Sequence, residues 1–284
     1  MKKIVLTSVS LLMLLQLCAC QAMDGPDGHV SDKVIAKQRM ALAQNTAGKG
    51  FGPQSPRDID SPEGRNGRAF GVAPPHTKMS LCNIHFHKSA EHKGGEFTTY
   101  AGNSDGDGYH SGYRYSGKLT EAEREPFTIE TKHGVLASGD TIEVHFVYTT
   151  ADCKPGPTLG SCLSDSIDNP QLRVEALVCV LVNGGDPLDF RKLTEIGQEN
   201  GLYQAVNIPN SAGTPIQYAG STTGPSYNEK GSPYQVTWSV RPKVVKVHIE
   251  TVAEWLEGNV FEEDHAHGVR NLVINPALLS KMDR

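Results

Sequence analysis

Two short stretches of alternating chemistry constrain this chain more than any other feature. In Asn83-Ile84-His85-Phe86-His87 polar and apolar side chains take turns, and in Ile142-Glu143-Val144-His145-Phe146 they do so again. Successive side chains of a β-strand point to opposite faces, so residues two apart share one. Asn83, His85 and His87 therefore face one way, while Ile84 and Phe86 pack on the other side. Glu143, His145 and Val147 share a face in the same manner. If the two strands are neighbours, three imidazoles converge. Three histidine ligands with a fourth position open are the donor set of a catalytic zinc site. Asn83 lies two residues before His85, and Glu143 two before His145, where each can accept the N–H that its imidazole does not use. The competing reading is a solvated sheet face carrying three polar histidines.

The rest of the chain favours strands too. Its 284 residues include 29 Gly and 17 Pro, which suits many turns and short strands better than a helical bundle. Further strand signals run over Leu81 to His87, Thr141 to Thr149, Leu172 to Val182, Gln235 to Val240 and Val244 to Ile249. Pro187 to Asn200 has helical spacing. The expected fold class is mainly β (α+β), one domain on a central twisted, mostly antiparallel sheet with few short helices. A net charge of -5 provides no basic footprint, so nucleic acid is not an expected partner.

Lys2 and Lys3 precede an apolar run from Ile4 to Leu17, so residues 1–20 read as an export signal. The run ends in Leu17-Cys18-Ala19-Cys20, similar to a bacterial lipoprotein processing box. Either Cys20 carries a lipid anchor to the membrane, or cleavage nearby releases a soluble product. Both readings place the protein outside the cytoplasm, in the periplasm or cell envelope. Residues 21–50 are expected as a polar tether with one short amphipathic stretch, Val34 to Leu42, and residues 51–284 as the folded domain. Cys153 and Cys162 flank a Pro- and Gly-rich loop and are expected to form a local disulfide. Cys82 and Cys179 either pair or stay as buried thiols.

Motifs elsewhere carry a family resemblance. Gln54-Ser55-Pro56-Arg57-Asp58-Ile59 resembles a signature of α-class carbonic anhydrases, as do Asn66-Gly67-Arg68-Ala69-Phe70 and His85-Phe86-His87 with Ser89-Ala90-Glu91-His92. Glu143-Val144-His145, Tyr218 through Pro225, and Val236-Thr237-Trp238 follow in family order. The stretches around His85 to Phe97, Cys153 to Asp165 and Glu262 to Arg270 are similar to the δ class. The resemblance implies a carbonic anhydrase-like catalytic domain that hydrates carbon dioxide to bicarbonate. It implies Zn2+, with Co2+ or Cd2+ as substitutes, on His85, His87 and His145. It makes Thr222 the hydroxyl that accepts from zinc-bound hydroxide and donates to Glu91, with Thr223 beside it. Val147, Leu177 and Trp238 become the apolar wall for carbon dioxide.

The sequence departs from that pattern in three places. The stretch between His87 and Glu91 is short. The loop has lost a Leu before Thr222, which opens a one-residue offset between Thr222 and Thr223. Arg68 stands where the α class has its proton-shuttling histidine, and arginine stays protonated. His76, His92, His110 or buffer are the substitutes left open. Two rival functions fit parts of the same sequence. His85-x-His87-x3-Glu91 also fits a cupin metal site, without the residues that usually surround it. His265 and His267 behind Glu262-Glu263-Asp264 would suit a zinc-binding lipoprotein, or simply an acidic solvated loop. Asn103-x-Asp105-x-Asp107-Gly108 begins like a calcium loop, but Arg114 stands where the closing carboxylate belongs, so a Gly/Asp turn is expected.

Overall fold

The computed structural model describes residues 29–282. Residues 1–28, which include the expected export signal, Cys18 and Cys20, lie outside the described residues. Within them, twelve strands follow in chain order: β1 (Ser80–Lys88), β2 (Thr99–Tyr100), β3 (Tyr113–Arg114), β4 (Thr128–Thr131), β5 (Gly134–Ala137), β6 (Thr141–Thr149), β7 (Leu172–Val182), β8 (Ile196–Glu199), β9 (Leu202–Ala205), β10 (Ile216–Ser221), β11 (Gln235–Val240) and β12 (Val245–His248). Three α-helices accompany them, α1 (Asp32–Thr46), α2 (Phe190–Leu193) and α3 (Ile249–Glu257). The mainly β expectation holds.

One six-stranded mixed sheet dominates, in the order β1-β6-β7-β11-β10, with β12 also on β7. The β1/β6, β6/β7 and β10/β11 pairs are antiparallel; β11 and β12 run parallel to β7. The eleven residues of β7 serve β11 along Arg173–Ala176 and β12 along Cys179–Val182. Period-two patterning divides the sheet into two apolar layers. On one side Ile84, Phe86, Val144, Phe146, Leu177 and Leu181 are buried beneath Phe190 of α2 and Val252 and Trp255 of α3. On the other, Val147, Val174, Ala176, Val178, Val236 and Trp238 form the second layer. Each such large side chain, fully buried, contributes about 1.5–3 kcal/mol.

Three expectations are corrected. The segment from 29 to 46 is docked rather than a free tether. α1 buries Ile35 and Leu42, the latter against Val273, Leu278 and Leu279. Gln38 bonds Gly106 O (2.8 Å) and Asn271 (2.6 Å), and Asn103 reaches Val30 O and Asp32. Asn103 thus anchors a polar turn, and Asp105 caps three backbone N–H groups of the same turn. The helix expected over Pro187 to Asn200 is confined to the single turn α2. Asn200 and Gly201 adopt φ of 53° and 80°, and β8 and β9 close a hairpin around them. Positive φ at both central residues is the tight-hairpin conformation that Asn-Gly favours, and it outweighs the helical spacing.

The disulfide is Cys82–Cys162, and Cys153 and Cys179 both remain thiols. β1 carries an irregularity between Leu81 and Asn83, so Cys82 leaves the Leu81/Ile84 layer and joins the opposite one. The loop after β6 crosses that point. Gly156 N donates to Cys82 O (3.0 Å) and Asn83 Nδ2 to Gly156 O (3.1 Å), which carries Cys162 onto Cys82 instead of back to Cys153.

Candidate metal centre

The antiparallel register sets His85 directly opposite His145 across β1 and β6, and His87 opposite Glu143. Strand alternation does the rest. His85, His87 and His145 each present a ring nitrogen, all within 4.8 Å of one another. Each ring is fixed by an acceptor at its other nitrogen. His85 Nδ1–H donates to Asn83 Oδ1 (2.6 Å), His87 Nδ1–H to the Gly268 carbonyl (2.7 Å) and His145 Nε2–H to Glu143 Oε1 (3.0 Å). These tautomers follow from the hydrogen-bond network. They leave His85 Nε2, His87 Nε2 and His145 Nδ1 bare. His87 Nε2 is buried without any partner. A buried polar atom left unsatisfied is unfavourable by about 1–3 kcal/mol. A metal ion held by the three rings would supply the missing partner, and three imidazole nitrogens are a donor set that zinc accepts.

Electrostatics prepare the same chemistry. Burial holds His85 well below its ordinary value, pushes His87 down to about 4 and lowers His145, with repulsion among neighbouring imidazoles adding to it. All three are neutral at pH 7, the form that binds a metal. Burial alone would raise the Glu143 carboxyl, but His92 and His145 hold it well below the usual carboxylate range. Its two oxygens take four donors: His145, the His92 ring (2.6 Å), and the backbone N–H groups of Glu91 (2.8 Å) and His92 (3.1 Å). Asn83 and Glu143 thus stand where the alternation put them.

Two expected residues are displaced. Thr223, not Thr222, donates its hydroxyl to Glu91 Oε2 (2.7 Å); Thr222 bonds Ser232 (2.7 Å) instead. The threonine loop is offset by one residue because Ser221 and Thr222 are still tied to β11 and its lead-in, Thr222 N donating to Tyr234 O. The other Glu91 oxygen accepts Arg270 N–H (3.3 Å), and burial raises the carboxyl. Leu177 belongs to the far layer. It lies opposite Val144, one residue out of phase with Ala176, which pairs His145.

The histidines open onto a pocket of about 310 Å³ whose apolar wall is Val147, Leu172, Val174, Val236 and Trp238. Val147 and Trp238 are therefore placed as expected, and Leu172 and Val174 take the place given to Leu177. His92 is buried between Glu143 and Tyr218, and His76 sits beside Glu175 and Tyr148. Neither lines the pocket, nor does His110; His267 does, held by Glu263 at 2.6 Å. Of the acidic stretch before His265, Glu263 is buried in the pocket wall, while Glu262 and Asp264 are exposed. Gly268 has no counterpart among the residues singled out in the sequence, and His267 and Glu263 figured there only as a separate metal-binding or solvated stretch. The carbonyl of Gly268 acts 181 positions from His87, and a backbone oxygen has no sequence signature.

Among solved structures, the chain is similar to an α-carbonic anhydrase from Thermovibrio ammonificans in complex with the inhibitor sulfanilamide. Identity is 16%, coverage 78% of this chain and 84% of that one, and the TM-score 0.30. It is similar also to an α-carbonic anhydrase from Photobacterium profundum, at 15% identity, 82% and 93% coverage and a TM-score of 0.26. No curated protein matches the chain. The family assignment rests instead on the sequence model described as Delta carbonic anhydrase, which matches residues 76–251, from just ahead of β1 into α3, and the chain accordingly belongs to the delta carbonic anhydrase family.

Proposed function

We propose that the protein interconverts carbon dioxide and bicarbonate with a zinc ion held by His85, His87 and His145. The observation that carries this reading is the buried, unpartnered Nε2 of His87, aimed where two other bare imidazole nitrogens converge. Zinc in such a site would lower the pKa of bound water to about 7 and so supply a nucleophile at neutral pH, a value known for carbonic anhydrase itself. The chain's own residues do the rest. Asn83, Gly268 O and Glu143 fix the three rings. Thr223 donates its O–H hydrogen bond to Glu91, so its oxygen faces the pocket as an acceptor and selects the orientation of a hydroxyl group there. Val147, Val174, Val236 and Trp238 offer carbon dioxide an apolar wall. Glu91 is committed to Thr223 and Arg270 N, which leaves a cupin-type role as a ligand without support.

The disulfide suits an oxidising compartment, and we take the protein to be exported to the periplasm or envelope, with Cys20 as the candidate lipid anchor. Metal analysis and stopped-flow hydration of the wild type test the function. About one zinc per chain with hydration far above buffer is expected. Bound zinc without hydration sinks the reading, and iron or manganese with oxygen-dependent chemistry would restore the cupin alternative. The assignment of the hydroxyl is tested separately. Thr223→Ala is expected to lower kcat/KM roughly 10²-fold, the scale of one lost transition-state hydrogen bond. Thr222→Ala should stay near wild type, and the opposite order would reverse the roles.

A further inference from the structure

The three acceptors behind the metal-binding rings are not held alike. Glu143 sits on β6 with four donors around its carboxylate. The Gly268 carbonyl belongs to a stretch laced to β1, since His267 N donates to Phe86 O (2.8 Å) and Lys88 N to His267 O (3.0 Å). Asn83 is different. Its Oδ1 serves His85, and its Nδ2 has one partner among the described residues, the carbonyl of Gly156. Gly156 lies outside the sheet, in Lys154-Pro155-Gly156-Pro157, so the hold on the Asn83 amide depends on where a loop runs.

That loop spends most of its hydrogen bonds on itself. Gly160 N bonds the Thr158 hydroxyl, Ser161 Oγ bonds Pro157 O, and Leu163 N bonds Gly160 O. Its outward ties gather at one place. Gly156 N donates to Cys82 O, Thr149 Oγ1 donates to Cys162 O (2.7 Å), and Cys162 is joined covalently to Cys82. Both cysteines and Asn83 are buried. Cys82 directly precedes Asn83, so the bridge pins the loop where it must meet the Asn83 side chain. Between Gly156 and Cys162, Thr158 and Leu159 reach the lining of the metal pocket.

We propose that the Cys82–Cys162 bridge is a positioning device for the metal centre, which sets the affinity for the metal as well as the stability of the fold. It holds Gly156 against Asn83, and Asn83 holds the His85 ring. The proposal rests on His85, His87 and His145 as ligands, not on the reaction they serve. The contacts run from His85 Nδ1–H to Asn83 Oδ1 (2.6 Å), from Asn83 Nδ2–H to Gly156 O (3.1 Å) and from Gly156 N–H to Cys82 O (3.0 Å). An acceptor fixed in place fixes its imidazole with it, and metal affinity follows. The acceptors of His87 and His145 lie outside this chain of contacts, so loss of the bridge acts on one ligand of the three.

The test is a mutant cycle read as zinc affinity, by chelator competition at a temperature where circular dichroism shows each variant folded. Asn83→Ala should weaken zinc binding roughly 10–100-fold. Cys82→Ala/Cys162→Ala should weaken it roughly 10-fold, the low end of that range. All three substitutions together should match Asn83→Ala alone to within about twofold, because the bridge acts through Asn83. A bridge that serves stability alone would leave the zinc affinity of the folded protein unchanged. A bridge acting by another route would add its loss to that of Asn83→Ala. Either result overturns the proposal. Gly156→Pro removes the N–H given to Cys82 with the bridge in place, and it keeps the question decidable if the cysteine variant does not fold. Zinc affinity roughly 10-fold lower is expected there too, and wild-type affinity overturns the proposal. Wild type that takes up no zinc overturns the ligand assignment and the clamp together; zinc held without hydration sinks the proposed function alone.

Discussion

Replacing His145 by alanine is expected to remove both the metal and the activity. His145 is one of only three side-chain donors in the cluster, and it is buried at the pocket floor opposite His85. Loss of an acceptor behind a ligand typically weakens metal binding 10–100-fold. Loss of the ligand itself should exceed that, so purified His145→Ala should hold well below one zinc per chain. Without the metal the pKa of the attacking water rises far above neutrality, and hydration should drop to the uncatalysed rate. Glu143→Gln provides the graded comparison, with zinc affinity lower by roughly 10–100-fold. Metal analysis, circular dichroism and stopped-flow assay on the three proteins check this. A folded His145→Ala protein with full zinc and full activity would refute the ligand assignment.

The largest expected effect on stability comes from Cys82→Ala/Cys162→Ala. The bridge closes a loop with a sequence separation of 80 and ties β1 to the segment that follows β6. Loop-closure entropy for that length amounts to about 4.5 kcal/mol in the chain-entropy model. In a domain of this size the unfolding midpoint should fall by roughly 10 °C or more. Cys153→Ala, which removes a half-buried thiol outside the bridge, should stay within about 1 kcal/mol of wild type. Calorimetry on the single variants decides the pairing: a large drop for Cys153→Ala and none for Cys82→Ala would reinstate the Cys153–Cys162 link.

How far the sequence could be read depends on how each residue acts. His85, His87, His145, Asn83 and Glu143 were legible because strand alternation converts spacing directly into a shared face, and the β1/β6 register needed no correction there. The same rule misplaced Cys82, since one irregularity at Leu81/Asn83 turns it across the sheet. Leu177 was misassigned through family likeness although its parity with Ala176 already argued against it. Thr223 needed an offset in a loop, where no period applies. Asn200-Gly201 was a readable hairpin signal overridden by an apparent helical spacing in Leu188, Phe190, Leu193 and Ile196. The Gly268 carbonyl depends on long-range chain return, which local patterning does not encode.

The four donors gathered on Glu143 have one more consequence. They lace the Glu91-His92 segment to β6 through bonds that contain no metal. The socket is therefore shaped in advance, unlike small zinc modules whose folding and metal uptake are one event. Stripping the ion should leave a cooperatively folded protein, with a loss of stability no greater than the binding term RT ln(1 + [L]/Kd). Reloading should then depend on the ion shedding its water and entering a rigid cup, so exchange is governed by entry and release instead of by refolding.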